Sequence, residues 1–253
     1  MSRLTLLAHD QRAASQESRT RETTDARIVR NELIECVGLS KTYTDGQVAA
    51  LANIDLTIRR HEFVVIMGPS GSGKSTLLQI LGLLDAPTAG ELHFEGHPLS
   101  SLRNTDRMRA EKIGFVFQSF HLLPMLTAIE NVQVPMFESL LRPNERVSKS
   151  SALLAQAGID HRAHHLPHSM SVGERQRVAI ARSLANDPLL LLADEPTGAL
   201  DTKTGEEILD LFVDLHERLG MTVVLVTHDP RVADRAQRLI RIRDGRIESD
   251  ERR

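Results

Sequence analysis

The sequence predicts an α/β protein with a mainly parallel sheet, and three observations support this fold class. Short apolar runs recur at 63–67, 189–193 and 222–226, as expected for parallel strands that are buried on both faces. Segments with helical periodicity alternate with these runs, which favours repeated strand–helix units. The chain has 253 residues, of which 41% are hydrophobic, and this is enough for a substantial core.

The composition excludes some classes of function. The formal net charge of −3 provides no overall basic field, so nucleic acid is not expected as the main ligand. The single cysteine, Cys36, cannot form an internal disulfide, which fits a reducing cytoplasm. No apolar run approaches the ~18 residues of a membrane span. If a membrane is involved, we therefore expect another chain to cross it.

The composition and the hydrophobic pattern of the sequence change along the chain. Residues 1–32 are polar and rich in Arg, Ser and Thr, so we expect a flexible N-terminal extension followed by one domain over 33–253. Within that domain, residues 119–181 interrupt the rhythm of short strands. Two S/T-x-x-E patterns in this interval, at 127–130 and 171–174, are typical of capping boxes at helix starts. The interval is therefore predicted to be an inserted helical subdomain.

The C-terminal end contains a hairpin signal. Asp244-Gly245 separates two short strand-like runs, and Asp-Gly is a preferred pair in two-residue hairpin turns. The last eight residues, 246–253, alternate in charge. We interpret this ending as a solvated tail.

A phosphate-binding loop is the strongest motif. The segment "GPSGSGKST" satisfies G-x-x-x-x-G-K-[ST] after an apolar strand and before a helical pattern, which is the context that the motif requires. Its backbone N–H groups are expected to face phosphate oxygens, Lys74 to reach the β- and γ-phosphates, and Ser75 to bind Mg²⁺. The loop predicts nucleoside triphosphate binding, but kinases, GTPases and motor ATPases share it. The nucleotide-binding residues predicted here are Gly68, Pro69, Ser70, Gly71, Ser72, Gly73, Lys74, Ser75 and Thr76.

Two acids follow another apolar strand, in "LLLLADEPTGALD". At the carboxyl edge of a parallel sheet, Asp194 is expected to hold Mg²⁺, directly or through water. Glu195 is the candidate base that orients the attacking water. An acidic helix cap after a buried strand is the structural alternative. The catalytic interpretation is favoured because the pair accompanies a phosphate-binding loop.

Two further strand ends carry polar candidates. His228 follows "TVVLVT" and is placed to donate a hydrogen bond to the γ-phosphate or to the attacking water; its alternative role is that of a turn residue. Gln118 follows "IGFVF", and its amide is a candidate ligand of Mg²⁺ or of that water. Neither residue would carry a functional assignment without the other motifs.

Taken in order, these motifs resemble the ABC ATPase family over about residues 33–253. An aromatic residue, Tyr43, precedes the phosphate-binding loop. Gln118 and a signature segment at 170–174, "MSVGE", come next, followed by the acidic pair, the D-loop "GALD" at 198–201 and His228. Residues 81–96 and 125–136 look like the macrolide-exporter and lipoprotein-releasing branch.

The resemblance implies an ABC ATPase core with an antiparallel β subdomain and the inserted helical subdomain. It implies that Tyr43 stacks on adenine and that Asp201 lies at a dimer interface. Two copies are expected to close head to tail over two ATP molecules, so that Ser171 and Gly173 of one copy complete the phosphate site of the other. ATP and Mg²⁺ are the implied ligands, and the metal candidates are Ser75, Gln118 and Asp194.

The resemblance also implies a biological role and a location in the cell. We expect an ATP-hydrolysing subunit that drives separate membrane permease subunits from the cytoplasmic face, docking near residues 118–136. The alternative is a non-transporting ABC ATPase that regulates a membrane partner, of the cell-division type. A chromosome or repair ATPase is less compatible, because the chain between Gln118 and Ser171 is too short for a long coiled-coil arm.

Val172 departs from the family pattern, which has a glycine at this position. If Ser171 caps the helix, Val172 is its first residue and needs only ordinary backbone angles. The Ser171 hydroxyl and the Gly173 backbone N–H are both retained. We therefore predict a working signature in which two additional methyl groups face the second subunit.

Overall fold

A computed structural model of the protein describes residues 31–44, 48–101 and 104–253. The described residues form two sheets, helices and short 3₁₀ turns. The strands and α-helices in chain order are β1 (Glu32–Tyr43), β2 (Val48–Arg59), β3 (Phe63–Met67), α1 (Lys74–Leu81), β4 (Ala89–Phe94), β5 (His97–Pro98), α2 (Thr105–Lys112), β6 (Ile113–Phe117), α3 (Ala128–Gln133), α4 (Pro143–Gln156), α5 (Val172–Ser183), β7 (Leu190–Asp194), α6 (Thr202–Leu219), β8 (Thr222–Thr227), α7 (Pro230–Ala233), β9 (Arg238–Arg243) and β10 (Arg246–Arg252).

The larger sheet confirms the prediction of a mainly parallel core. Its strand order is β10-β9-β3-β8-β7-β6, and every neighbouring pair from β9 to β6 is parallel. All residues of β3 and β8 are buried, which explains why they are continuous apolar runs. The carboxyl ends of these strands therefore lie along one edge of the sheet.

The smaller sheet is antiparallel, with the strand order β2-β1-β4-β5. It shares one hydrophobic cluster with α1 and with one face of the larger sheet, to which β3 contributes Val64 and Ile66. Phe63, Val65 and Met67 of the same strand belong to a second cluster, together with helices α3 to α6. Alternation along β3 thus divides the core into two layers, one on each face of the sheet.

The interval between Phe117 and Leu190 is described throughout and contains helices and turns without a strand. Both predicted capping boxes are present. The Thr127 N–H donates to Glu130 Oε2 at 2.8 Å before α3, and Ser171 caps α5, which begins at Val172. Helices α3, α4 and α5 pack on one another, as the prediction of a helical insertion at 119–181 requires.

The C-terminal hairpin is confirmed, and the segment predicted to be a solvated tail is mostly exposed but forms a strand. Asp244 and Gly245 both have positive φ, 48° and 72°, as a type I′ turn requires. Strand β10 then continues to Arg252 in antiparallel pairing with β9. The alternating charges fit this strand because Asp250 accepts hydrogen bonds of 2.7 and 2.6 Å from the buried Arg238 guanidinium.

The proposed N-terminal extension falls mostly outside the described residues, which begin at Asn31. Strand β1 begins at Glu32, within the range 1–32 that was assigned to the extension, and Leu33 is already fully buried. Among the described residues, none of the helices combines the length and the apolar character needed to cross a membrane.

A buried amide fixes the segment that follows β6. Asn131 of α3 is fully buried, and its Nδ2 donates to the carbonyls of Leu123, Leu126 and Thr127 at 3.1, 2.9 and 3.0 Å. Its Oδ1 accepts from the Leu123 N–H at 2.7 Å. One side chain therefore determines the backbone path of residues 123–127.

We predict that Asn131→Leu lowers the free energy of unfolding by about 2 kcal/mol or more, because each buried polar group left unpaired costs about 1–3 kcal/mol. Gln133→Leu is the control, since Gln133 makes one 3.2 Å bond to a carbonyl of its own helix. Urea unfolding of both variants measures the difference. Equal stabilities of the two variants would contradict the role given to Asn131.

Candidate active site

The register of the parallel sheet brings four predicted positions to one edge. Met67, the last residue of β3, pairs with Thr227 of β8, and Asp194 of β7 pairs with Val226 of β8. Phe117 of β6 pairs with Asp194. The phosphate-binding loop, the acidic pair, His228 and Gln118 each follow one of these strand ends, so they meet at the same edge.

The phosphate-binding loop is closed by its own lysine. Lys74 Nζ donates to the carbonyls of Gly68 and Pro69, both at 2.9 Å, and its side chain is buried. Gly73 precedes α1 with φ of 99°, and a Cβ there would lie 2.3 Å from the Ala50 carbonyl oxygen. Glycine is required at this position by the backbone angle and by the approach of β2.

The same loop is supported by the C-terminal hairpin. The Gly245 N–H donates to the Ser72 carbonyl at 3.0 Å, and the Ala52 N–H donates to the Gly245 carbonyl at 2.8 Å. A Cβ at Gly68 would lie 2.1 Å from the Ile242 carbonyl oxygen. Sequence reasoning identified the hairpin but not this contact, since no local pattern links residues so far apart in the chain.

Ser75 and Asp194 form the candidate metal centre. The Ser75 hydroxyl donates to Asp194 Oδ1 at 3.2 Å. Burial raises the pKa of Asp194, and the negative charge of Glu195 adds to this effect, against the opposing influence of the Ser75 bond and of Lys74. A hydroxyl beside a carboxylate is the oxygen ligand set that Mg²⁺ prefers, so the two residues fit a magnesium ion.

The Glu195 carboxylate contacts two side chains at the end of β8. The Thr227 hydroxyl donates to Glu195 Oε2 at 3.0 Å, and His228 Nδ1 lies 2.7 Å from Glu195 Oε1. The Glu195 side chain is 16% exposed, whereas that of His228 is 68% exposed. Thr227 was missed at the level of sequence, although its position at the end of β8 beside His228 is a usable signal.

The backbone of Glu195 is also unusual, with φ of 46°. This left-handed conformation costs a non-glycine residue about 1–3 kcal/mol. It is maintained by two hydrogen bonds, from the Glu195 N–H to the Val226 carbonyl at 2.9 Å and from the Gly198 N–H to the Glu195 carbonyl at 3.0 Å. The turn after β7 therefore aims the carboxylate at the edge of the sheet.

Gln118 contacts the start of the D-loop. A Cβ at Gly198 would lie 2.9 Å from Gln118 Nε2, so the amide approaches the backbone three residues beyond Glu195. Gln118 itself is exposed, and its predicted roles toward a metal ion and a water molecule stay predictions.

Tyr43 lies at the end of β1. Its hydroxyl donates to Asp85 Oδ2 at 3.1 Å, and Lys41 Nζ lies 5.0 Å from the ring centroid. Lys41 also donates to Asp85 Oδ1 at 2.6 Å, and this bond is the main reason that the pKa of Asp85 is lowered. Tyr43 is 37% exposed, and its stacking on adenine stays a prediction.

The signature segment stands apart from the rest of the site. Among the described residues, no hydrogen bond joins Ser171 or Gly173 to the phosphate-binding loop. The Ser171 hydroxyl accepts from the Glu174 N–H at 3.2 Å, and the Ser171 N–H donates to Glu174 Oε2 at 2.7 Å. The hydrogen bond from the Ser171 backbone is the main reason that the pKa of Glu174 is lowered. Val172 is half-buried.

Comparison with known proteins identifies the family to which the chain belongs. The profile of the family described as ABC transporter matches residues 51–198, more than half of the chain. The chain belongs to the ABC transporter family of ATP-binding cassettes. The two sheets and the helical insertion are thus those of an ABC ATPase, as the sequence motifs predicted.

An ABC transporter ATP-binding protein of Thermotoga maritima is 52% identical over 226 residues, covering 88% of this chain and 96% of that protein. MJ0796 of Methanocaldococcus jannaschii is 47% identical over 87% of this chain and 97% of its own length. A solved dimer of the MJ0796 cassette, bound to ADP and Pi, superposes with a TM-score of 0.81 at 45% identity, over 87% of this chain and 98% of that one.

The macrolide export ATP-binding/permease protein MacB of Marinobacter nauticus is 48% identical over 222 residues. The match covers 86% of this chain and 34% of MacB. This similarity agrees with the branch of ABC ATPases that the sequence motifs indicated.

We predict that Asp194→Asn stabilises the ABC domain in the absence of nucleotide and metal. Because the pKa of Asp194 is raised by folding, the folded state binds the proton more tightly than the unfolded chain. The free energy of unfolding therefore decreases as pH rises between the unfolded and the folded pKa. At neutral pH the variant should have the higher thermal midpoint, and it should lose this part of the pH dependence.

Asp229→Asn is the control for this experiment. The pKa of Asp229 is lowered, mainly by hydrogen bonding to Arg231, so the same substitution should destabilise the domain at neutral pH. Thermal unfolding of both variants at several pH values gives the comparison. A lower midpoint for Asp194→Asn than for the wild type would contradict the assigned effect of burial.

Proposed function

We propose that the protein hydrolyses ATP in a Mg²⁺-dependent reaction and energises separate membrane permease subunits through closure of a dimer. The observation that carries the proposal is the arrangement of Glu195. Its carboxylate is held between Thr227 and His228 at the sheet edge, where the phosphate-binding loop and the Ser75–Asp194 pair also end.

Each residue has a distinct part in this reaction. The N–H groups of the loop and the Lys74 ammonium bind the phosphates, because both supply positive charge to an anionic ligand. Glu195 orients the attacking water and accepts its proton. His228 is exposed enough to contact the γ-phosphate, and it donates a hydrogen bond as negative charge develops there. Gln118 contacts the water or the metal ion.

Ser75 and Asp194 would hold a magnesium ion, which would supply positive charge to the phosphate oxygens. The raised pKa of Asp194 suits this role, since a carboxylate that is costly to ionise in a partly buried position gains most from a neighbouring cation. Thr227 maintains Glu195 in place, so the carboxylate keeps its position when His228 turns toward the nucleotide.

The position of the signature supports a dimeric site. Within the part of the chain that the structure describes, Ser171 and Gly173 make no hydrogen bond to the phosphate-binding loop, so we propose that they serve the loop of a second copy arranged head to tail. Asp201 then lies at the interface and Tyr43 stacks on adenine. The dimer of the related MJ0796 cassette is the precedent for this assembly.

The surface near Gln118 is suited to a membrane partner. Leu123 and Met125 are 47% and 85% exposed, in the segment whose path Asn131 determines. A cavity of about 370 Å³ opens nearby and is lined mainly by apolar and basic residues. We propose that permease subunits dock here and hold the ATPase at the cytoplasmic face. Residues of the cavity include Arg109, Phe115, Phe117, His121, Pro135 and Arg182.

A regulatory ATPase of the cell-division type is the alternative, since it would use the same cassette. The similarity to MacB, a macrolide export ATP-binding/permease protein, favours transport. The two functions differ in the membrane protein that co-purifies with the chain.

We predict that Glu195→Gln binds ATP but hydrolyses it at least ~100-fold more slowly, because the phosphate site stays intact while the general base is lost. ATP then accumulates in the site and keeps two copies together. Light scattering with Mg-ATP measures the dimer, and phosphate release measures turnover. Turnover at the wild-type rate would exclude Glu195 as the base.

We predict that Val172→Gly preserves or raises ATPase activity with the membrane partner present. Val172 removes neither the Ser171 hydroxyl nor the Gly173 N–H, and because its side chain is half-buried in its own chain, only part of its methyl surface can meet the second subunit. Steady-state ATPase rates decide the matter. An inactive wild type that Val172→Gly activates by orders of magnitude would identify a defective signature and a role as one member of a heterodimer.

A further inference from the structure

Helix α5, which begins in the signature, and helix α6, which follows the D-loop, contact each other near their starts. A Cβ at Gly173 would lie 2.5 Å from Thr204 Cγ2, a distance that side-chain carbons do not adopt. The next nearest atom, Thr204 Cβ, lies at 3.9 Å, which is ordinary van der Waals contact. The Thr204 methyl group therefore leaves no space for a Cβ at position 173.

The Thr204 methyl group is not free to turn away. The Thr204 hydroxyl donates to Asp201 Oδ2 at 2.6 Å, and its N–H donates to Oδ1 of the same carboxylate at 3.0 Å. Rotation about χ1 that moved Cγ2 away from Gly173 would break the hydroxyl bond, since the oxygen and the methyl group share one Cβ. The capping of α6 by Asp201 thus fixes the methyl group against α5.

The two helices cannot separate freely to make room either. Arg177 of α5 forms an ion pair of 3.1 Å with Glu207 of α6, and the Arg177 guanidinium also donates to the Ala157 carbonyl at 3.0 Å. These contacts lie one turn beyond Gly173 and Thr204. A side chain at 173 would therefore tilt the start of α5 or displace the D-loop.

From this geometry we propose that Thr204 is a positioning residue that holds the signature helix at a fixed distance from Asp201 within the same chain. Gly173 is then required first by its own subunit, as the one residue that leaves space for the Thr204 methyl group. Movement of either the signature or the D-loop is transmitted to the other through Thr204. The functional part of this inference rests on the proposed dimeric ATPase.

The test uses the full chain in the Glu195→Gln background and follows dimer formation with Mg-ATP. Gly173→Ala is expected to weaken dimerisation at least about tenfold. Adding Thr204→Ser removes the methyl group, keeps the hydroxyl bond to Asp201, and should restore dimerisation. Adding Thr204→Val instead retains a methyl group at that position and should not restore it.

Gly205→Ala is the matched glycine control. It lies in the same helix as Thr204, and a Cβ there would meet its nearest neighbours in Thr197 at 3.7 and 3.8 Å. Because this is ordinary contact, the variant should dimerise as its parent does. A loss equal to that of Gly173→Ala would show that any added methyl group at this helix pair is harmful, and would overturn the proposal.

Two further outcomes overturn the proposal. If Gly173→Ala with Thr204→Ser is as defective as Gly173→Ala alone, the second subunit rather than Thr204 requires the glycine. If Thr204→Val rescues as well as Thr204→Ser, the methyl contact is irrelevant. Should Gly173→Ala fail to fold, recovery of folded protein with Thr204→Ser, but not with Thr204→Val, is the same test.

Failure of the proposed function is recognised separately. If the Glu195→Gln parent does not dimerise with Mg-ATP, the dimeric ATPase is wrong, but the contact within the chain is still tested by thermal unfolding without nucleotide. In that measurement Gly173→Ala should lower Tm and Thr204→Ser should recover it. An unchanged Tm for Gly173→Ala would exclude the contact.

Discussion

The parallel register of β3, β8, β7 and β6 is the constraint on which the rest of the molecule depends. It places the ends of four strands side by side, where the phosphate-binding loop, the acidic pair, His228 and Gln118 lie. Alternate residues of β3 pack in different clusters, so a slip of one residue would exchange the side chains of the two layers. The rigid core therefore positions the strand ends, and the loops at its edge carry the candidate functional side chains.

The turn after β7 combines a strained backbone at Glu195 with several stabilising contacts. Glu195 adopts a left-handed backbone conformation that is unfavourable by itself, and its side chain takes two further partners, Thr227 and His228. The D-loop that follows is contacted at its start by Gln118 and tied at Asp201 to Thr204. The candidate base is therefore linked both to the segment proposed to contact a membrane partner and to the signature helix.

The sequence was sufficient for features that are local in the chain. The phosphate-binding loop, the acidic pair and both capping boxes are short patterns whose geometry follows from neighbouring residues, so their elements could be placed in advance. Contacts between distant segments could not. The residues around Ser72 do not indicate its contact with Gly245, and those around Gly173 do not indicate its contact with Thr204. Strand β10 resembles a tail in the sequence because Arg238, the ion-pair partner of Asp250, lies on the other strand of a hairpin. Such pairs are set by tertiary packing, which periodicity and spacing do not encode.

The cap of α5 determines which donors the signature segment can offer to a second copy in the proposed dimer. The Ser171 oxygen accepts a hydrogen bond from Glu174 N–H, which uses a lone pair and leaves the hydroxyl proton available to donate. The Gly173 N–H belongs to the first turn of the helix, where backbone donors have no acceptor within the helix. Both donors lie at the positive end of a twelve-residue helix, where an anion is favoured. A valine between them changes the shape of this surface but leaves its charge and its donors unchanged, so in the proposed dimer Val172 would alter the fit of the second copy without removing a phosphate donor.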